Sequence, residues 1–117
     1  MDFIENLNES YDLEYHEIGE CESSELILKD IDNDRLYRFY PEDVSKIIKF
    51  LNIIRDVTEY EVRTDLNESF NFICEGLGKE RVVTLHDVDF DMKFNFYPED
   101  IIKIETFLNR LKDFGIL

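Results

Sequence analysis

The sequence repeats itself, because the pentapeptide FYPED occurs at residues 39–43 and again at residues 96–100. At this offset of 57, residues 39–56 and 96–113 agree at eleven of eighteen positions. Unrelated sequences of ordinary composition would share about one. A repeat of this length indicates that one supersecondary unit is used more than once. The chain is therefore expected to fold as two similar units.

A second repeated motif extends the match toward the start of each copy. The tetrapeptide LNES occurs at residues 7–10 and 66–69. Copy one accordingly covers residues 1–57, and copy two covers residues 58–117. A unit below about 60 residues is marginal as an independent core. The two copies are therefore expected to pack together as a single domain.

Each copy is predicted to form three strands followed by one helix. In copy one, Tyr11, Leu13 and Tyr15 alternate with polar residues, which is typical of a half-buried strand. Two further alternating segments follow, separated by turns rich in glycine and aspartate. Pro41 and Pro98 then occupy a first helical position, where proline is tolerated. The predicted fold class is α+β: a tandem βββα unit, each an antiparallel meander plus one helix, with the copies packed as one pseudo-symmetric domain.

Apolar residues at helical spacing mark the face of each helix that should enter the core. They are Val44, Ile47, Leu51 and Ile54 in copy one, and Ile101, Ile104, Leu108 and Leu111 in copy two. Two arrangements remain open: a continuous six-stranded sheet, or two meanders that share a core under both helices. Val57, Tyr60 and Val62 allow a further short strand between the copies.

The charge of the chain is strongly negative and unevenly distributed. There are 28 acidic and 13 basic residues, for a formal net charge of −15, but 44% of residues are hydrophobic, so an ordered domain is expected. Residues 1–34 hold twelve acids and one base, whereas the equivalent residues 58–91 hold nine acids and three bases. Positions that differ between the copies are the better functional candidates, and this difference points to copy one.

The acidic residues of copy one are predicted to bind a basic partner. Alternate carboxylates on a strand lie about 6.7 Å apart on one face, a spacing comparable to that of nucleic-acid phosphates. Such an array would fit a groove lined by Lys and Arg and would repel nucleic acid itself. The predicted partner-binding residues are Asp12, Glu14, Glu17, Glu20, Glu22, Glu25, Asp30, Asp32 and Asp34.

The composition resembles that of small acidic inhibitors that imitate nucleic acid, including phage-encoded blockers of restriction or CRISPR nucleases. This resemblance implies a DNA-mimic inhibitor whose partner is a nuclease or another nucleic-acid-binding protein. One alternative is an immunity or antitoxin protein that caps a basic toxin nuclease. Another is a structural module that dimerises through its first helix, because Ile48 and Ile53 replace Glu105 and Arg110 of copy two. The chain is expected to be a monomer or a homodimer.

Catalysis, metal binding and cofactors are not expected. The aspartate triplet that begins at Asp30 resembles the opening of a calcium loop, but Arg35 and Pro41 stand where such a loop needs glycine and glutamate. Cys21 and Cys74 have no metal or redox spacing and are expected to be free thiols. The chain begins without the basic flank and apolar stretch of a secretory signal, so we expect a cytoplasmic protein without membrane contact.

Overall fold

The computed structural model describes residues 2–16, 24–56 and 59–113. Each copy forms a four-stranded antiparallel sheet followed by a helix. Copy one contains β1 (Asp2–Asn6), β2 (Tyr11–His16), β3 (Glu25–Asp30), β4 (Arg35–Phe39) and α1 (Pro41–Asp56). Copy two contains β5 (Glu61–Asp65), β6 (Phe70–Glu75), a short 3-10 turn (Gly78–Glu80), β7 (Val82–Asp87), β8 (Met92–Phe96) and α2 (Pro98–Asp113).

The strands form two separate sheets, with orders β1-β2-β3-β4 and β5-β6-β7-β8. The α+β class and the meander in each copy are confirmed, and two meanders occur rather than one continuous sheet. Each copy nevertheless has one strand more than the three predicted. The additional strands β1 and β5 pair on one side only, and the central Ile4 of β1 is 61% exposed. An edge strand of this kind needs little apolar alternation, so the pattern did not reveal β1. The short strand suggested between the copies corresponds in part to β5, which contains Val62 but begins after Tyr60; Val57 lies outside the described residues.

The paired strands place the predicted residues toward the core. Leu13 lies opposite Leu28, and Tyr15 lies opposite Leu26, in the register of β2 and β3. Leu13 and Tyr15 are buried, as the alternation predicted. The intervening acidic side chains therefore lie on the outer face of this sheet, because successive strand residues point to opposite sides.

Each helix begins at its proline and is capped by an aspartate of the repeated motif. The backbone N–H of Tyr40 donates to the Asp43 carboxylate at 3.1 Å, and the N–H of Tyr97 donates to Asp100 at 3.0 Å. These contacts form the acidic half of a capping box. The predicted apolar stripes are buried, except that Ile104 is only partly buried against the core.

Both helices reach across to the opposite copy. On α1, the Lys46 ammonium donates to the Leu66 carbonyl at 2.9 Å, and the Phe50 ring stacks on Phe72 with centroids 5.4 Å apart. On α2, the Lys103 ammonium donates to the Leu7 carbonyl at 3.0 Å. Each helix therefore contacts the opposite copy as well as its own sheet.

The two repeated motifs bind one another across the copies. The Asn8 side chain donates to the Asp100 carboxylate at 3.0 Å, and Asn67 donates to Asp43 at 3.2 Å. We call these two contacts the latches. The carbonyl oxygen of the Asn67 side chain also accepts the backbone N–H groups of Ser69 and Phe70. Each latch thus links a strand turn to the capped start of the opposite helix.

Aromatic side chains fill the space between the sheets. Tyr11 contacts Phe94, and Tyr37 contacts Phe70, both edge to face with centroids 5.9 Å apart. Tyr37 and Phe94 also contact each other at 4.9 Å. Buried residues of both copies form one hydrophobic cluster, which agrees with the prediction that the copies share a core.

Candidate partner-binding surfaces

The first candidate surface is the outer face of the first sheet. Asp12 and Glu14 lie on β2, and Glu25 lies on the neighbouring β3. The structure therefore brings these three predicted residues together on one face, where each is partly buried. Glu17, Glu20 and Glu22 lie outside the described residues.

Basic side chains offset much of the charge on this face. Lys29 lies directly opposite Asp12 in the register of β2 and β3. The Arg38 guanidinium lies 3.9 Å from the Glu25 carboxylate. The amide of Asn6 also donates to Asp12 at 2.7 Å. The sequence count overstated the acidity here, because Arg38 follows the counted segment but returns to the same face on β4.

Asp30 does not belong to any exposed surface. It is 2% exposed, and its carboxylate accepts the backbone N–H of Asn33 at 3.3 Å and the Asn33 amide at 2.8 Å. Asp87 occupies the equivalent place in copy two and accepts the N–H of Phe90. These two aspartates hold their turns closed, so Asp30 is withdrawn from the predicted partner-binding set.

The second candidate surface consists of two aspartate-rich turns that lie side by side. Asp32 and Asp34 are exposed in the turn after β3, and Asp89 and Asp91 are exposed in the turn after β7. Just beyond the first turn, the Arg35 guanidinium donates to the sulfur of Met92, which follows the second turn, at 3.1 Å. We call residues 30–37 and 87–92 together the aspartate junction.

Two aspartates of the junction have an unusual backbone conformation. Asp34 and Asp91 have φ values of 51° and 50°, a left-handed conformation that Asp and Asn tolerate better than most residues. The junction contains six aspartates and one basic residue, Arg35. Exposed carboxylates from both copies therefore lie on these turns, and one of them, Asp91, pairs with the His86 imidazole at 2.9 Å.

Apolar side chains stand exposed among these carboxylates. Phe90 is 74% exposed, and Leu36, Val88 and Ile31 are also large exposed apolar residues. Phe90 is not among the binding residues predicted from the sequence. The signal that could have found it is a large aromatic residue within a four-residue turn, because such a side chain has no strand to carry it into the core.

The predicted apolar interface on α1 is not one continuous patch. Ile48 is partly buried and packs against the core, whereas Ile53 is 54% exposed. Five residues along a helix correspond to a rotation of about 140° between the two side chains. The structure therefore places these two residues on different faces of the helix.

The described residues offer little for metal or nucleophilic chemistry. Within residues 2–16, 24–56 and 59–113, no three His, Cys, Asp or Glu side chains are grouped so as to hold a metal ion. The His86 imidazole pairs with the Asp91 carboxylate at 2.9 Å. Cys74 is buried, and burial raises the pKa of its thiol, which reduces the reactive thiolate at neutral pH. Cys21 lies outside the described residues.

The pKa of Tyr11 is affected by the negative charges of the neighbouring first aspartate turn. Burial first, and then the charges of Asp30 and Asp32, raise the pKa of Tyr11 to about 12. Because the fold favours the neutral phenol, this contribution to stability is complete below the unfolded value near pH 10 and is lost as pH rises through about 12.

We expect Tyr11→Phe to lose less stability than the wild type between about pH 10 and 12. The variant should fold, because Phe70 occupies the equivalent position in copy two. Chemical denaturation at several pH values measures the effect. In an absorbance titration, the variant should lack the tyrosinate signal that appears at the highest pH in the wild type. Tyr40→Phe, which removes an exposed hydroxyl, is the control. A stability profile for Tyr11→Phe that parallels the wild type through this range would contradict the assignment.

Comparison of the chain with protein-family models, curated proteins and solved structures gives no match. Among the described residues, neither helix combines the length and apolar character needed to cross a membrane.

Proposed function

We propose that the chain is a small acidic binding protein that occupies the basic nucleic-acid-binding groove of a partner protein, as a DNA-mimic inhibitor does. The observation that carries this proposal is the aspartate junction, where Asp32, Asp34, Asp89 and Asp91 are exposed on two turns that the contact between Arg35 and Met92 links. The proposed partner is a nuclease or another nucleic-acid-binding protein in the cytoplasm. The proposed action needs neither catalysis nor a cofactor.

The junction suits this role because its carboxylates stand on turns anchored by two sheets. A fixed array of negative charge attracts a groove lined by Lys and Arg, accelerates association and makes it sensitive to salt. The same charge repels DNA and RNA, so direct nucleic-acid binding is not part of the proposal. The outer face with Asp12, Glu14 and Glu25 is the weaker candidate, since Lys29 and Arg38 lie on it.

A second candidate function is that of an immunity or antitoxin protein that caps one basic toxin nuclease. The exposed Phe90 and Leu36 favour it, because apolar anchors surrounded by charge are typical of partner-specific interfaces. A mimic should compete with DNA for several unrelated DNA-binding proteins. An immunity protein should bind one toxin tightly and leave other DNA-binding proteins free.

We also infer that the copies pack about a pseudo-twofold axis. The two latches, the two lysine-to-carbonyl bonds and the two edge-to-face aromatic contacts occur in matched pairs. The Tyr37 and Phe94 contact joins equivalent positions and would lie on the axis. This arrangement supports the proposal, because it would bring both aspartate turns to one end of the molecule.

To test the proposal, the wild type and a junction variant are each immobilised, and the amounts of basic proteins that they retain are compared. The junction variant carries Asp32→Asn, Asp34→Asn, Asp89→Asn and Asp91→Asn. Asparagine keeps the left-handed positions accessible, so the turns should persist. At low ionic strength we expect a captured DNA-binding protein, once purified, to bind the variant at least about tenfold more weakly. Duplex DNA should release that protein from the wild type.

The matched control removes the same number of charges elsewhere. It carries Asp56→Asn, Glu59→Gln, Glu80→Gln and Asp113→Asn, all at exposed positions outside the junction. A third variant with Asp12→Asn, Glu14→Gln and Glu25→Gln tests the outer sheet face. Equal loss of affinity in the junction and control variants would mean that only net charge matters. Unchanged affinity in the junction variant would refute the proposed function.

A further inference from the structure

A small cavity lies inside the core that the two copies share. Its volume is about 40 Å³, and all twelve side chains that line it are apolar. Eleven of them belong to the buried hydrophobic cluster, and the twelfth, Ile104, is partly buried against it. Protein interiors are packed so closely that voids larger than a water molecule are few. A void of this size is therefore a distinct feature of the core.

The lining of the cavity is shared equally by the two copies. Six lining residues come from each copy, and ten of the twelve form five equivalent pairs, such as Leu13 with Phe72 and Leu26 with Val83. The void therefore arises from the way in which the copies pack against each other, and not from a defect within either unit. A molecule inside the cavity would contact both copies at once.

The chemistry of the lining selects an apolar ligand. A buried water needs roughly two to four polar partners, and none of the lining side chains carries a polar atom. The central strands that contribute to the lining are paired on both sides, so their backbone groups are already used in the sheets. An apolar cavity of this kind stays dry. An apolar molecule that fills it restores the dispersion contacts that the walls lack.

We propose that this cavity is a binding site for one small apolar molecule, of the size of a xenon atom or a short alkane. An engineered apolar cavity of about 150 Å³ in another protein takes benzene, so a cavity of about 40 Å³ is too small for a ring. The ligand would favour the packed state of the two copies by mass action. This inference goes beyond the proposed function, because no residue of the aspartate junction lines the cavity.

The experiment is a nuclear magnetic resonance titration of the full chain with dissolved xenon, under increasing gas pressure. We expect shifts of methyl resonances that approach saturation, with a dissociation constant on the order of tens of millimolar. The shifted methyl groups should belong to both copies and include those of Leu28 and Leu85, which line the cavity. Benzene is the size control and should leave these methyl resonances unchanged.

A variant that fills the cavity tests where xenon binds. Val83→Leu introduces the residue that copy one carries at the equivalent position, Leu26, and adds one carbon beside the void. It should remove the saturable shifts, while its melting temperature stays at or above that of the wild type. Val83→Ile adds the same carbon on a β-branched side chain suited to a strand and should act alike. Val88→Leu makes the first substitution at an exposed position outside the lining and should bind xenon as the wild type does.

Several results would each overturn the assignment of this site. The first is a set of xenon shifts that grow linearly with pressure or occur only at exposed methyl groups. The second is undiminished xenon binding by a folded Val83→Leu or Val83→Ile variant. The third is magnetisation transfer from bound water to the lining methyl groups, which would show that the cavity is hydrated. Saturable binding of benzene by the wild type would overturn the assigned size of the ligand. None of these results bears on the proposed function, whose test changes only exposed carboxylates.

Discussion

Replacing Phe50 by alanine is expected to lower the free energy of unfolding by about 3–5 kcal/mol, the usual cost of deleting a buried ring. Phe50 lies on the helix of copy one but stacks on Phe72 in the sheet of copy two, with the rings 7° from parallel. Both copies should therefore be destabilised by a change made in one of them. A loss of this size is a large part of the total stability of a typical domain.

Denaturation with urea, followed by amide resonances from both sheets, measures this effect. The resonances of β1–β4 and β5–β8 should disappear at the same, lowered denaturant concentration. The control is Ile53→Ala, which truncates an exposed residue on the same helix and should change stability by no more than about 0.5 kcal/mol. If the second sheet kept its wild-type midpoint in Phe50→Ala, the cross-copy role of α1 would be wrong.

Replacing Asn67 by aspartate should cost about 2 kcal/mol at neutral pH, because it breaks one latch and leaves two carboxylates facing each other. The substitution keeps the side-chain oxygen that accepts the N–H groups of Ser69 and Phe70, so the turn itself is preserved. Only the donor to Asp43 is lost. Below about pH 4 the destabilisation relative to wild type should shrink, since one of the two carboxylates then becomes protonated.

The equivalent asparagine of copy one allows the same substitution to be tested a second time, and an exposed asparagine of α1 serves as the control. Asn8→Asp makes the same change opposite Asp100 and should show the same pH-dependent loss. Asn52→Asp adds a charge at an exposed position of α1 and should have little effect. The measurement is the free energy of unfolding of the three variants over a range of pH. If Asn67→Asp lost no more stability than Asn52→Asp at every pH, the latch would contribute nothing to the free energy of unfolding.

Much of the fold could be predicted because its signals are local. The prolines at 41 and 98, the capping acids beside them and the apolar stripes fixed both helices. The edge strands were harder to predict, since a strand with one neighbour buries little and β1 shows weak alternation. The crossing of each helix to the opposite copy could not be predicted. A repeat carries the same apolar stripe whether its helix covers its own sheet or the other one.

The acidic surface was predicted in part, for a related reason. Alternation correctly grouped Asp12 and Glu14 on one strand face, but pairing across strands decides which bases neutralise them. Register placed Lys29 opposite Asp12. Asp30 looked like its exposed neighbours in sequence, yet it closes its own turn. The aspartate junction needs the relative placement of two turns 57 residues apart, which no spacing within either copy encodes.

The crossed helices have a consequence for how the chain acquires its structure during synthesis. The start of the chain contacts the last helix, because Arg110 approaches Glu5 at 3.4 Å and Lys103 donates to the Leu7 carbonyl. While the ribosome is still translating copy two, the contacts of copy one with copy two cannot form, and the core that the two copies share is incomplete. Contacts of such long sequence separation form slowly, and uncovered sheets invite aggregation. The high density of carboxylates in copy one would then keep nascent chains apart through mutual repulsion, before the domain is complete.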